Sequence, residues 1–217
     1  EGSESWLVKF DTGDQQGRVE YAYSLMAADA GIDIPRCRLL TDKGGRAHFA
    51  THRFDRGADE KPHMQSLAAL RHLDPGETGV HSYEEALSTA LALGVGASGI
   101  AQLYRRMVFN VVAANRNDTT HKVIFLMDPT GQWRLAPAFD LTAASRPHGH
   151  QMTVNGRTTD ITSPDLREVG RRFRVRDHVG MINAVTSTLA AWKDYAAYVQ
   201  IPPDRSRDIG STHPIGL

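Results

Sequence analysis

The sequence has little cysteine, no imbalance of charge and no long apolar segment. Its single thiol is Cys37, which excludes an intrachain disulfide and a metal site of several thiolates and favours a reducing cytoplasm. Lysine plus arginine number 25, as do aspartate plus glutamate, so net charge gives no support for a strongly basic nucleic-acid binder. No apolar run approaches the roughly 18 residues that span a bilayer, and we expect no membrane partner.

Hydrophobic residues make up 41% of the chain, enough to bury the core of one sizeable globular unit with two lobes. The periodicity of apolar residues near the N-terminus changes from strand-like to helical and back. It predicts strand 6–10, helix 17–30, strand 35–40, a turn at 42–45 and strand 48–54. Because the sequence enters its first strand directly at Trp6, we interpret the chain as a piece of a longer one.

The rest of the sequence is predicted to be mainly helical. Ser82 and Glu85 have the spacing of a capping box at the start of the first of these helices. The predicted elements are helices 82–93 and 101–114, a polar loop 115–121, a hairpin of strands 123–127 and 132–135, and helices 163–172 and 176–199. The tail from Pro202 is polar, and we expect it to be loosely held.

One stretch combines a buried helix, a polar loop, a hairpin and an acidic residue after a strand. It covers residues 107–142 and ends just beyond Asp140. Kinases carry a catalytic base on such a loop and hold Mg²⁺ with an aspartate that follows a short strand pair. An aspartate after a hairpin is also a common turn residue, so the spacing alone leaves both interpretations open.

Several motifs resemble those of HipA-type serine/threonine kinases, the toxin half of a bacterial toxin–antitoxin pair. The matching segments keep their order along nearly the whole chain: 6–10, 20–27, 53–56, 109–112, 125–128, 133–135, 137–142, 152–156 and 160–162. The resemblance implies an α+β, protein-kinase-like fold. It assigns residues 1–60 to a truncated, β-rich small lobe. Residues 61–217 become a mainly α-helical C-lobe with the catalytic loop and the metal-loop hairpin.

The resemblance also implies a role for individual residues in binding ATP and Mg²⁺. Lys9 would hold the phosphates of ATP from its strand, and Glu20 would pair with Lys9 from the first helix. The backbone of His52 and Phe54 would line the adenine, and Asp140 would bind Mg²⁺ that bridges the phosphates. A triphosphate needs cationic neutralisation, and the metal needs hard oxygen ligands.

The polar loop departs from the family pattern Asn-x-Asp-Asp-His-Thr-Lys-Asn. Without a gap in the register, Asn117 takes the position of the catalytic base and Lys122 that of the metal-binding asparagine. An amide does not accept a proton as a carboxylate does, and a charged lysine offers no lone pair to Mg²⁺. Asp118 keeps the family residue beside the base and is a candidate for a substitute base, although we expect its side chain to point elsewhere. Asn117 and Asp118 are thus the candidate catalytic positions, and Asp140 and Lys122 the candidate metal positions.

Two functions from different classes follow from the resemblance. The first is a kinase toxin that transfers the γ-phosphoryl group of ATP to a protein serine, impaired here by Asn117 and Lys122. Its implied partners are an antitoxin of the HipB type, on operator DNA, and a protein substrate such as an aminoacyl-tRNA synthetase. The second is a catalytically inactive, pseudokinase-like binding domain that keeps antitoxin or other protein contacts. The family's glycine-rich phosphate loop precedes the first strand, and this sequence begins at that strand.

His148 and His150 flank Gly149 and have the appearance of a pair of metal ligands. A loop pair without a third ligand is more typical of solvated histidines. We therefore expect both to be exposed.

Overall fold

The computed structural model describes residues 4–56, 61–74, 76–144 and 149–214. Its strands are β1 (Trp6–Lys9), β2 (Cys37–Thr41), β3 (Ala47–His52), β4 (His63–Ser66), β5 (Ile124–Met127) and β6 (Trp133–Leu135). Its helices are α1 (Gln16–Asp29), α2 (Leu67–Arg71), α3 (Tyr83–Ala92), α4 (Ala97–Val112), α5 (Ser163–Arg172), α6 (His178–Ala190), α7 (Trp192–Tyr198) and α8 (Pro203–Gly210). The strands form two antiparallel sheets, in the orders β1-β3-β2 and β4-β5-β6.

The first sheet and α1 hold one side of the candidate site. β1 pairs with β3 so that Lys9 lies opposite Phe49. Helix α1 crosses β3 closely at Gly17, where a Cβ atom would lie 2.1 Å from the Ala47 carbonyl oxygen; a larger residue would push the helix off the sheet. The helix begins at a turn closed by Asp11, whose carboxylate accepts the Gly17 backbone N–H at 3.0 Å.

Helix α4 lies in the centre of one continuous hydrophobic core and packs against α3 and α6. Tyr23 of α1 reaches this core, where its ring contacts those of Phe109 and Trp192 edge-on, at centroid distances of 6.2 and 5.7 Å. Full burial of a large side chain is worth roughly 1.5–3 kcal/mol. These contacts therefore fix α1 to the helical part of the chain.

The second sheet contains the predicted hairpin, which is confirmed as β5 and β6. Strand β4 was not predicted, because its sequence His-Met-Gln-Ser does not alternate; pairing with β5 makes it a strand. The predicted α+β class is confirmed. In the described ranges, no helix has both the length and the apolar character needed to cross a membrane.

Two predictions in the C-terminal part were wrong. The long helix 176–199 is instead α6 and α7, since the chain turns at Ala191. The tail forms helix α8 and is held, because the Trp192 indole N–H donates to the Ser206 carbonyl at 2.8 Å. Helical periodicity continues through such a turn, so the sequence pattern did not reveal it.

Candidate functional site

A cleft of about 420 Å³ lies between the first sheet and the segment after β6. Its volume falls in the range of small-molecule sites. One end holds the charged group of Lys9, Glu20 and Asp140. Arg53 and Asp55 form a second charged pair in the lining, whose exposed surface is otherwise mostly apolar. The lining residues are Leu7, Lys9, Glu20, Thr51, His52, Arg53, Phe54, Asp55, Met64, Ile124, Phe139 and Asp140.

Lys9 organises the charged end of the cleft. Its Nζ lies 2.6 Å from Glu20 Oε1 on α1, so the predicted ion pair is present. The same ammonium donates to Asp140 Oδ1, 131 positions further along the chain. Burial opposes the charge on Lys9, but the two carboxylates outweigh burial and raise its pKa. Lys9 is therefore a charged group at the end of the cleft at neutral pH.

A second lysine, Lys122, holds the other oxygen of Asp140. Lys122 ends a short 3₁₀ turn, Thr120–Lys122, and its Nζ lies 2.6 Å from Asp140 Oδ2 and 3.3 Å from the Asp140 carbonyl oxygen. Asp140 has a left-handed backbone, with φ at 56°. Burial alone would raise the pKa of Asp140, but Lys122 and Lys9 outweigh it and lower that pKa. Asp140 is thus an ionised carboxylate with an ammonium on each oxygen.

The predicted metal positions do not form a donor set for Mg²⁺. Mg²⁺ requires oxygen ligands in octahedral geometry, and both Asp140 oxygens accept from ammonium groups. Lys122 brings a positive charge beside Asp140, and a charged ammonium offers no lone pair to a metal ion. Within the described residues, no three His, Cys, Asp or Glu side chains come together as metal ligands. The residues present, in this arrangement, do not fit the ion.

Asp118 lies inside the protein and faces away from the cleft, as expected. Its side chain has no exposed surface and accepts from the Tyr83 hydroxyl at 2.9 Å and the Gln151 backbone N–H at 2.8 Å. His150 Nδ1 lies 2.9 Å from the same carboxylate. Burial, with the charge of Asp118, raises the pKa of Tyr83 well above its usual value. Asp118 therefore fastens the polar loop to α3 and to the segment after Gly149.

The expectation that His150 is solvated was wrong. His150 is only 5% exposed, because its ring reaches the buried Asp118 carboxylate. His148 lies outside the described residues. A short loop pattern does not reveal a carboxylate partner that lies 32 positions away in the chain.

The remaining predicted residues divide between the cleft and the loop. His52 and Phe54 line the cleft, and Asn117 is half-buried in the polar loop beside Asp118. Sequence reasoning missed several cleft residues, among them Met64 and Phe139. Phe139 packs on Phe54 at a centroid distance of 5.9 Å, and its position next to Asp140 was the available signal. The sequence gives no such signal for Met64, because the strand that contains it, β4, was not predicted.

A family model described as HipA-like C-terminal domain matches residues 1–193 of the chain. No curated protein matches its sequence.

Two solved structures have a similar fold. One is a chain of the Shewanella oneidensis MR-1 toxin–antitoxin complex of HipA, HipB and operator DNA, with a TM-score of 0.72 and 14% identity. That match covers 96% of this chain and 55% of the other, so this chain spans about half of that relative's length. The other is the Helicobacter pylori proinflammatory kinase CtkA, with a TM-score of 0.57, 13% identity and coverage of 97% and 90%. The predicted kinase-like fold is confirmed.

Proposed function

Because this chain belongs to the HipA-like C-terminal domain family, we propose that it is the core of a HipA-type serine/threonine kinase that still binds ATP but transfers phosphate poorly. The observation that supports this most directly is the convergence of Lys9, Glu20 and Asp140 at one end of an apolar cleft. A kinase cleft needs this combination, an apolar site for the base and a cation for the phosphates.

In the proposed complex, adenine lies against the backbone of His52 and Phe54, near the Phe139 ring. The phosphates lie toward Lys9, whose ammonium is charged and partly exposed. Glu20 orients Lys9 through their ion pair. ATP is the implied nucleotide, and a protein serine is the implied acceptor.

Impaired transfer follows from two positions in the polar loop. The Asn117 amide does not take the proton of an acceptor hydroxyl, a contribution of about 10²–10⁴-fold in rate. Lys122 occupies the position of a metal-binding asparagine and pairs with Asp140 instead. When bound, Mg²⁺ supplies charge neutralisation of the phosphates in kinases; here the metal position does not fit the ion.

Restoring both positions tests this proposal. We expect the chain as it stands to transfer radiolabelled γ-phosphate from Mg-ATP to purified aminoacyl-tRNA synthetases at close to the background rate. The double variant Asn117→Asp/Lys122→Asn should be at least about 100-fold faster, since it recovers a base and a metal ligand. Addition of Lys9→Met to the double variant should return the rate to background.

Equal rates for the unmodified chain and the double variant would contradict the impairment. Absence of ATP binding by both would contradict the kinase-type cleft itself.

The second candidate function is a catalytically inactive binding domain in the cytoplasm. The Lys122–Asp140 ion pair favours it, because a lysine at the proposed metal position excludes the Mg²⁺ that phosphoryl transfer in kinases requires. Its proposed partner is an antitoxin of the HipB type, on operator DNA, by analogy with the similar Shewanella complex. Retained ATP binding with no phosphoryl transfer by the double variant would support this candidate over the kinase.

A further inference from the structure

We propose that Lys122 takes the place of the divalent metal, so that this protein binds free nucleoside triphosphate without Mg²⁺. The inference rests on the proposed ATP-binding function and specifies which ionic form of the nucleotide enters the cleft.

The charges at the end of the cleft support it. Two ammonium groups, Lys9 and Lys122, face two carboxylates, Glu20 and Asp140, and their formal charges cancel. A neutral side chain at position 122 would leave one carboxylate uncompensated, facing the phosphates. A carboxylate and a phosphate that face each other in a partly buried site repel each other strongly, because both are negative. Lys122 removes this repulsion, a task that Mg²⁺ performs where the position holds an asparagine.

The geometry indicates different roles for the two lysines, one toward Asp140 and the other toward the phosphates. The Lys122 side chain is only 17% exposed and donates to a carboxylate oxygen and to the carbonyl oxygen of Asp140. It therefore neutralises Asp140 from behind the cleft. The Lys9 side chain, 38% exposed, lines the cleft and is the group placed to donate to a phosphate oxygen.

Because of the same arrangement, Mg²⁺ competes with the protein for the phosphates of the nucleotide. To bind at Asp140, the ion would have to displace an ammonium from one oxygen and remain beside it, against electrostatic repulsion. Added Mg²⁺ would instead bind the phosphates in solution and reduce the negative charge that Lys9 attracts. The affinity for ATP should therefore stay equal or fall when Mg²⁺ is added.

Titration of the whole chain with a fluorescent methylanthraniloyl derivative of ATP, in EDTA and then in excess Mg²⁺, tests the inference. We expect the unmodified chain to bind as tightly in EDTA as in Mg²⁺, or more tightly. Lys122→Asn should bind about tenfold more weakly in EDTA and recover when Mg²⁺ is added. Lys122→Arg, which keeps the charge, should remain independent of Mg²⁺. Lys43→Asn, the same change at an exposed turn, is the matched control.

Binding by the unmodified chain that requires Mg²⁺ would overturn the inference and leave the proposed function standing. So would equal affinities of the unmodified chain and Lys122→Asn in EDTA. If neither the unmodified chain nor Asn117→Asp/Lys122→Asn binds the nucleotide in either buffer, the ATP-binding function fails and the inference with it. Should Lys122→Asn melt early by circular dichroism, the comparison of the unmodified chain in EDTA and in Mg²⁺ still decides, because binding that requires Mg²⁺ overturns the inference.

Discussion

Glu20 and Asp140 share the neighbour Lys9, yet their pKa values move in opposite directions. Burial raises the pKa of Glu20, and Lys9 offsets only part of that rise. Asp140 is less buried and has a second ammonium, Lys122, so the attraction outweighs burial and lowers its pKa. At the residue scale, Lys122 thus has a large effect on the electrostatics of the site, because its ammonium lies 2.6 Å from the Asp140 carboxylate.

Asp118 provides a prediction at this scale. Asp118→Ala should lower the free energy of unfolding by about 3 kcal/mol, since it removes one member of a buried polar cluster and leaves the others unpaired. Tyr83→Phe, which removes a single hydroxyl, should cost about 1 kcal/mol. Urea denaturation followed by circular dichroism measures both.

Asp194→Ala, at an exposed position of α7, is the control and should change stability by less than about 0.5 kcal/mol. If Asp118→Ala costs no more than this control, Asp118 is not the fastening point of the polar loop.

At the scale of elements, His213 makes one of the contacts that attach the C-terminal helices to α1. His213 follows α8, and its Nε2 lies 3.0 Å from the Tyr23 hydroxyl. The ring also contacts that of Trp192 edge-on. Three elements thus meet at one histidine, which explains why a tail expected to be loose is held against the core.

This contact predicts a pH dependence. Burial lowers the pKa of His213 to about 4, below the ordinary value of about 6.5. The unfolded chain therefore takes up a proton that the folded chain does not. The stability contribution is complete above about pH 6.5 and should decrease as pH falls from there toward about 4.

Urea denaturation at several pH values in this window should show that decrease, and His213→Gln should make it shallower. The exposed His72 offers a control, because His72→Asn should leave the slope unchanged. A slope that His213→Gln does not alter would assign the pH dependence to other groups.

At the scale of the whole molecule, the cleft exists only when both sheets and α1 are in place, because its lining comes from all of them. A ligand of the cleft therefore binds only the folded form of the chain and not the unfolded form. ATP at a hundredfold excess over its Kd should therefore stabilise the protein by about 2.7 kcal/mol, which raises Tm by roughly 2–4 °C per kcal/mol.

Differential scanning fluorimetry measures this shift. Lys9→Met should abolish it, whereas Lys193→Met, at an exposed position of α7, should retain it. An unchanged shift in Lys9→Met would mean that ATP binds somewhere other than this cleft.

Sequence reasoning succeeded where the signal was local or shared by a family. The hairpin at β5 and β6 and the cap at Ser82, which accepts the Glu85 backbone N–H at 3.0 Å, were predicted from short patterns. It failed where a distant partner decided the structure. β4 is a strand because β5 lies beside it, and His150 is buried because Asp118 lies beneath it.

The sequence by itself determined the family and the α+β kinase-like fold, and it carries the pattern from which we predict that Asn117 and Lys122 stand at altered positions. Ordered motifs carry this information, since each depends on residues close together in the chain. Only the tertiary structure decided that Lys9 and Lys122 share one carboxylate, and that Asp118 turns inward. Those contacts join positions up to 131 residues apart, and the packing of the whole chain, rather than any local pattern, brings them together.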